Sequence, residues 1–312
     1  MSQKQWKLSD VGSLVGKGLK KLSSPHRSKL AIDEDVERLK VWLGQEQHLP
    51  NDVDPEWLTA FVVGTKSLEV AKQKLEAFFT LRAKLPQLFH FSKRDPFHED
   101  FKNASKALKI YFLPKPTPEG YRVLIISEGE NFIGNFVHSQ CTVRLTMLME
   151  TAMSLWPDMT GLITVTDMKG VPKAFLTKMN PTSIAYYFHW FQNAMPLKIK
   201  RGVLFNSPTF MNIIVNTLLK PFMKSKMYNR FIITSDGDKA LKKFVDEELL
   251  PSDYGGKEPT AEFLNDQWNS ILEERRDWFM KTSTLVADEE KRLPDIYGTY
   301  GIQGTFRRLE LD

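Results

Sequence analysis

Between residues 121 and 234, short strand-like runs alternate with helix-length segments. That alternation restricts the architecture more than any other feature of the chain. Tyr121–Ile126, Gly161–Thr166, Ile199–Phe205 and Arg230–Thr234 are rich in β-branched and large apolar residues. The first follows a breaker-rich stretch, Pro114 to Gly120. Helix-length segments separate the runs: one over 138–155, one opened by Asn180-Pro181 and one opened by Ser207-Pro208. Parallel neighbours need crossovers of about a dozen residues or more, usually helices, so the pattern predicts an α/β fold with a mainly parallel sheet.

Upstream the period is helical. Asp33-Glu34 opens a segment through Leu43, Asp54-Pro55-Glu56 reads as an N-cap with proline at the first helical position, and Ser67–Lys84 is a long helix closed by Leu85-Pro86. A further helix is expected over 98–109. Beyond Pro251 the chain turns at Tyr254-Gly255-Gly256 and enters a helix near 260–282. The expected organisation is a basic arm at 1–31, a helical module at 32–110, an α/β domain at 111–257 and a C-terminal helix and tail at 258–312.

Charge separates the arm from the body. Residues 1–30 hold seven Lys/Arg and one acid, whereas the whole chain of 312 residues is net +5, so the body is close to neutral. A near-neutral body argues against a nucleic-acid surface, which needs a concentrated basic excess. Within the arm, Leu8, Val11, Val15, Leu19 and Leu22 share one side of a helical wheel, opposite Lys17, Lys20 and Lys21. This is the pattern of a helix that forms on an anionic bilayer, and three glycines weaken it. No apolar run approaches the ~18 residues of a membrane span. The sequence shows no secretory signal pattern, and its single cysteine, Cys141, excludes an internal disulfide framework. The expected address is cytoplasmic.

Catalytic patterns are missing: there is no GxGxxG after a strand, no GxSxG elbow and no HExxH. Asp167, at a strand end, fits either a turn cap or a general base. The sequence calls for no catalytic residue, no metal and no cofactor.

The segment 208–224 (PTFMNIIVNTLLKPFMK) is the most unusual. Its apolar residues, including Phe210, Met211, Ile214, Leu218 and Phe222, cover roughly 200° of a helical wheel, more than a single core contact buries. Two readings follow: a helix packed on two sides, or a lid with one face on an apolar cavity and another for lipid. Lys220, Lys224, Lys226 and Arg230 surround it, with Lys198 and Lys200 on the preceding strand.

Asn206-Ser207-Pro208 followed by Lys220-Pro221-Phe222, Asp167-Met168-Lys169-Gly170, Met195-Pro196-Leu197-Lys198 and Leu250-Pro251…Tyr254-Gly255-Gly256 stand in an order that resembles the CRAL-TRIO lipid-binding family. The likeness is to its tocopherol-transfer and retinaldehyde-binding type, and Trp42-Leu43…Leu49-Pro50 with Lys66–Pro86 are similar to the helical module of insect members. The resemblance implies an N-terminal helical bundle before an α/β lipid domain. It also implies one hydrophobic ligand and a mobile gate helix at 208–224. The pocket and gate it implies comprise Trp190, Phe191, Leu204, Phe210, Met211, Ile214, Leu218 and Phe222. A phosphoinositide or membrane cleft is implied at Lys198, Lys200, Lys226 and Arg230. Two departures stand out. Phe61-Val62-Val63-Gly64-Thr65 replaces the FLRAR of many members, losing two arginines, and Gly202 replaces a bulky pocket residue of the tocopherol branch.

The leading expectation is a non-enzymatic carrier of a retinoid, carotenoid, tocopherol or similar lipid, cytoplasmic and transiently membrane-associated. Its partners would be the ligand and an anionic, phosphoinositide-bearing surface, without nucleic acid. The alternative is a phosphoinositide-binding, membrane-recruited adaptor that transfers no lipid.

Overall fold

The structure is a computed structural model that describes residues 28–293. The amphipathic arm read at Leu8–Leu22 and the residues after Leu293 lie outside the described residues.

Among the described residues three helices come first: α1 (Lys29–Gln45), α2 (Pro55–Gly64) and α3 (Leu68–Lys84). Ser67, where the long helix was expected to begin, caps α3, its hydroxyl accepting from the Val70 amide at 3.4 Å. Asp54 occupies the N-cap position of α2, but its carboxylate accepts instead from the Trp278 indole. Helix α4 (Glu99–Ala107) then passes directly into β1 (Leu108–Phe112). That corrects the expected helix over 98–109. No breaker marks the change, and residues 108–112 are drawn into the sheet by antiparallel pairing with β2 (Arg122–Glu128).

The remaining order is α5 (His138–Leu155), β3 (Leu162–Asp167), α6 (Pro181–Asn193), β4 (Ile199–Phe205), a helical segment Met211–Phe222, and β5 (Phe231–Ile233). The five strands pair in sequence order, β2 to β5 all parallel. This is the α/β fold with an N-terminal helical region that the alternation predicts. Right-handed crossovers between consecutive parallel neighbours carry α5, α6 and the 211–222 segment over one face of the sheet. The C-terminal stretch covers the other, where Tyr254 packs on Phe205 with ring centroids 5.8 Å apart. The single helix expected near 260–282 is two, α7 (Ala261–Glu274) and α8 (Arg276–Ser283).

One buried ion network ties these parts together. Glu150 of α5 accepts from Arg82 of α3 and from Arg94, both at 2.5 Å and all three side chains fully buried. Arg82 also donates to the carbonyls of Thr282 and Leu285 at the end of α8, where helix carbonyls lack intrahelical partners. The surplus positive charge is therefore spread over aligned backbone dipoles.

Candidate functional site

Pairing register assigns each strand residue to a face. Ile126, Thr166, Leu204 and Ile233 lie in one row, with Leu124, Thr164, Gly202 and Phe231 beside them. Ile125, Val165, Val203 and Phe205 point to the opposite face and are buried, whereas Ile232 at its edge is half-buried. On the first face Ile126, Thr164, Thr166, Phe231 and Ile233 all keep accessible surface. Strand β3 is central in the sheet and has a crossover helix on either side in sequence. Side chains there stay accessible only if the layer above leaves space.

The apolar interior forms two clusters. The larger holds the helical module and strand residues of both sheet faces, Leu124 and Ile125 among them. A second one gathers Phe132, Phe136, Cys141, Met168, Leu204, Met211, Ile214 and Val215. Met179, Leu218, Leu219, Tyr228 and Phe231 touch both clusters, and every one of them is only half-buried. The two clusters therefore meet along a row of half-buried side chains.

The segment above that row is not a regular α-helix. One α turn, Met211–Ile213, widens into a π-helix at Ile214–Leu219 and tightens into a 3-10 turn at Lys220–Phe222. Pro221 has no N–H to continue the ladder, which accounts for the terminal change. Met211, Ile214 and Val215 face inward, Leu218, Leu219 and Phe222 are half-buried, and Ile213 is 61% exposed. The segment is oily on its inner side and carries one large apolar residue outward. The broad apolar outer face expected from the wheel is narrower than that, because Leu218, Leu219 and Phe222 lean on the two clusters.

Its C-terminal end is pinned to α6. Gln192 donates to the Phe222 carbonyl at 2.8 Å and accepts from the Lys224 amide at 2.6 Å, while the Lys224 ammonium donates to Asn193 Oδ1 at 2.7 Å. Lys74 of α3 enters the same knot, donating to the carbonyls of Gln192, Asn193 and Met195. Burial and, secondarily, Lys224 and Lys198 bring the Lys74 pKa down to about 8. Burial, then Lys200, Lys226 and Arg230, hold Lys198 below the ordinary lysine value. Lys198, Lys200, Lys226 and Arg230 thus stand in mutual electrostatic range beside the pinned end.

A second knot explains why distant motifs travel together. Asp167 Oδ1 accepts from the Lys169 amide at 3.0 Å and from Asn206 Nδ2 at 2.8 Å, and Oδ2 accepts from the Tyr254 hydroxyl at 3.1 Å. Asn206 sits at φ 52°, and Gly170 and Gly255 at φ 78° and 76°, positions that favour Asn and Gly. Asp167 is therefore a turn-capping and bracing group.

The sequence-predicted pocket residues separate into two groups. Leu204, Met211 and Ile214 are buried members of the second cluster, and Phe210 and Leu218 pack on it. Trp190 and Phe191 belong to the larger core, Trp190 with its ring 5.4 Å from Phe89 and 6.4 Å from Phe78 of the helical module. Phe222 packs on the larger core as well. Gly202 is covered by Phe231, whose ring lies 2.6 Å from where a Cβ would stand, so β5 supplies the bulk that position 202 lacks. Lys74 and Gln192 escaped sequence reasoning, since their partners lie 118–121 and 30–32 residues away. A separate surface hollow of about 250 Å³, lined by Lys93, Asp100, Phe101, Gln140, Val143 and Arg144, lies away from the 211–222 segment. Among the described residues no cluster of His, Cys, Asp and Glu is arranged to hold a metal.

Comparison with known proteins agrees with this geometry. Residues 106–256 match the CRAL/TRIO domain and residues 28–101 the Pinta-like UBA domain. The alpha-tocopherol transfer protein-like protein of Homo sapiens is 25% identical over 250 residues, 79% of this chain and 71% of that one. Clavesin-2 of Rattus norvegicus is 23% identical over 146 residues, 45% of this chain and 43% of that one. A crystal structure of Sfh5 covers 86% of this chain and 93% of its own at 12% identity and a TM-score of 0.38, a likeness too slight to inform the architecture. With the match spanning the sheet and the 211–222 segment, residues 106–256 belong to the CRAL-TRIO family.

Proposed function

We propose that the protein is a non-enzymatic carrier that holds one small hydrophobic lipid between the sheet and the 211–222 segment and exchanges it with membranes when that segment lifts. The observation that carries this reading is the row of accessible side chains beneath the segment, Ile126, Thr166, Phe231 and Ile233, while Ile125, Val165, Val203 and Phe205 behind them are fully buried. Leu204, Phe210, Met211, Ile214, Leu218 and Phe222 form the wall and gate, and Trp190 and Phe191 back the wall from the helical side.

The physical case for a carrier is a barrier. At about 0.8 kcal/mol per buried CH₂, a lipid of some twenty such groups faces roughly 16 kcal/mol on entering water. A protein cavity removes most of that cost, so gate motion sets the rate of exchange. Ile213 and Phe222 supply the apolar contact with the bilayer, and Lys198, Lys200, Lys226 and Arg230 attract its anionic surface at about 1 kcal/mol each. No described helix is long and apolar enough to cross a membrane, which fits peripheral contact. Retinoids, carotenoids and tocopherols are all of suitable character.

The basic group supports a second reading, a phosphoinositide-recruited adaptor without net transfer, because Lys198 is acted on by three cations. Transfer of a fluorescent retinoid between vesicles separates the two. A carrier accelerates transfer and Phe222→Asp slows it. An adaptor binds the vesicles and leaves the transfer rate at its spontaneous value.

A further inference from the structure

The hollow of about 250 Å³ away from the 211–222 segment lies where the helical module meets the start of α5. Lys93 reaches it from the stretch after α3, Phe101 from α4, and Ser139, Gln140, Val143 and Arg144 from the first two turns of α5. Pockets for drug-sized ligands run to about 300–1,000 Å³, so this one suits a smaller molecule than a lipid.

Arg144 in its wall is fully buried, and among the described residues it pairs with no carboxylate. Its terminal nitrogens donate to the Leu108 carbonyl at 2.9 Å and to Oδ1 of Asn265 and of Asn269, both at 2.8 Å, while Nε has no acceptor. Neutral acceptors solvate a guanidinium without cancelling its charge, and buried charges are ordinarily paired. The only acid of α5, Glu150, is already shared by Arg82 and Arg94. Asp100 lines the hollow too, but it stands 3.5 Å from the Lys93 ammonium and accepts from Gln140 at 2.7 Å, so Lys93 matches it. One positive charge is left over. Burial brings the Arg144 pKa down to about 10, which keeps the group charged at neutral pH.

The helix itself adds to that charge. The 18-residue α5 begins at the hollow with Val137 at its N-cap, a side chain that accepts nothing, and with no acid in its first turn. The positive end of the helix dipole is therefore unanswered. Solvent does not reach Arg144, so its charge acts through the wall of the hollow, and a wall of low dielectric concentrates that potential in the space beside it. The buried Phe101 and Val143 give the same space apolar surface.

We infer that this hollow binds a small organic acid, a carboxylate on a compact apolar body, with the carboxylate in the positive potential of Arg144 and the α5 N-terminus and the body against Phe101 and Val143. The site is separate from the proposed lipid space and does not depend on the carrier reading.

Isothermal titration of the full chain at pH 7 with benzoate and with benzamide, its uncharged analogue, tests the inference. Two variants accompany it. Ser139 is exposed, so Ser139→Trp fills the mouth of the hollow without opening the core, and Arg144→Met removes the charge. The native chain should bind benzoate at least about tenfold tighter than benzamide, the scale of a contact with a charged group. Ser139→Trp should lose benzoate binding while keeping the native thermal midpoint and lipid loading, and Arg144→Met should level the two affinities. No benzoate binding, equal affinity for both compounds, or benzoate binding unchanged in Ser139→Trp overturns the inference. A folded Arg144→Met that keeps the preference overturns it as well. If Arg144→Met does not fold, the Ser139→Trp comparison decides alone.

Discussion

If the 211–222 segment is the proposed gate, Gln192 sets how firmly it is closed. Its side-chain amide donates to the Phe222 carbonyl and accepts from the Lys224 amide, so Gln192→Leu removes both links at once while keeping the volume similar. Each such bond contributes about 0.5–1.5 kcal/mol net, so the closed state should lose about 1–3 kcal/mol. That corresponds to an opening equilibrium raised roughly 5- to 150-fold, and the lower half of that range is expected because the Lys224 to Asn193 bond survives. The bond from Gln192 to the Phe188 carbonyl is internal to α6 and does not resist opening. Stopped-flow release of a bound fluorescent retinoid to acceptor vesicles should accelerate about tenfold, and hydrogen exchange of the Lys224 amide should speed up in parallel. Release at the native rate, with exchange at Lys224 faster, would refute the idea that this end must come free for the cargo to leave.

Further perturbations follow from the same geometry. Glu150→Gln leaves Arg82 and Arg94 buried without their carboxylate, and should cost about 3–5 kcal/mol, read as a fall of roughly 10 °C in the thermal midpoint; a shift under about 2 °C would contradict the network's role. Lys74 loses its charge as pH rises through about 8, so binding to anionic vesicles should weaken about fivefold between pH 7 and 9. Lys74→Arg, which stays charged, should flatten that fall, and an identical pH profile in the variant would count against Lys74. Gly202→Leu drives a side chain into the Phe231 ring and should reduce lipid loading, with Phe231→Ala restoring it in the double variant. Charge reversal at Lys226 and Arg230 should abolish the salt-sensitive part of vesicle binding while leaving loading from a lipid dispersion unchanged.

Much of the architecture was legible because it depends on period. Strand Ile199–Phe205 was bounded to the residue and α5 likewise, since β-branched runs and flanking breakers are local signals. Strand β1 was not legible, because Leu108–Phe112 follows α4 without punctuation and owes its conformation to β2. The break between α7 and α8 at Arg275 carries neither Gly nor Pro to announce it. At the site, the apolar excess of 208–224 left a two-sided packed helix and a lid both open, and announced neither the π-helical middle of the segment nor the Gln192 pin. Lys74 looks like any solvated lysine of a helix until the end of α6 is folded against it. Trp190 and Phe191 are apolar residues on the expected helix, yet helical periodicity alone does not tell which of two apolar clusters each will join.

The central claim is a hollow that takes one guest. Native mass spectrometry of the chain after incubation with a total lipid extract tests it most directly. The account predicts a single added mass at a one-to-one ratio, displaced stoichiometrically by a second hydrophobic ligand. The bare chain mass at every lipid load, or a continuum of loosely adhering species, would contradict it.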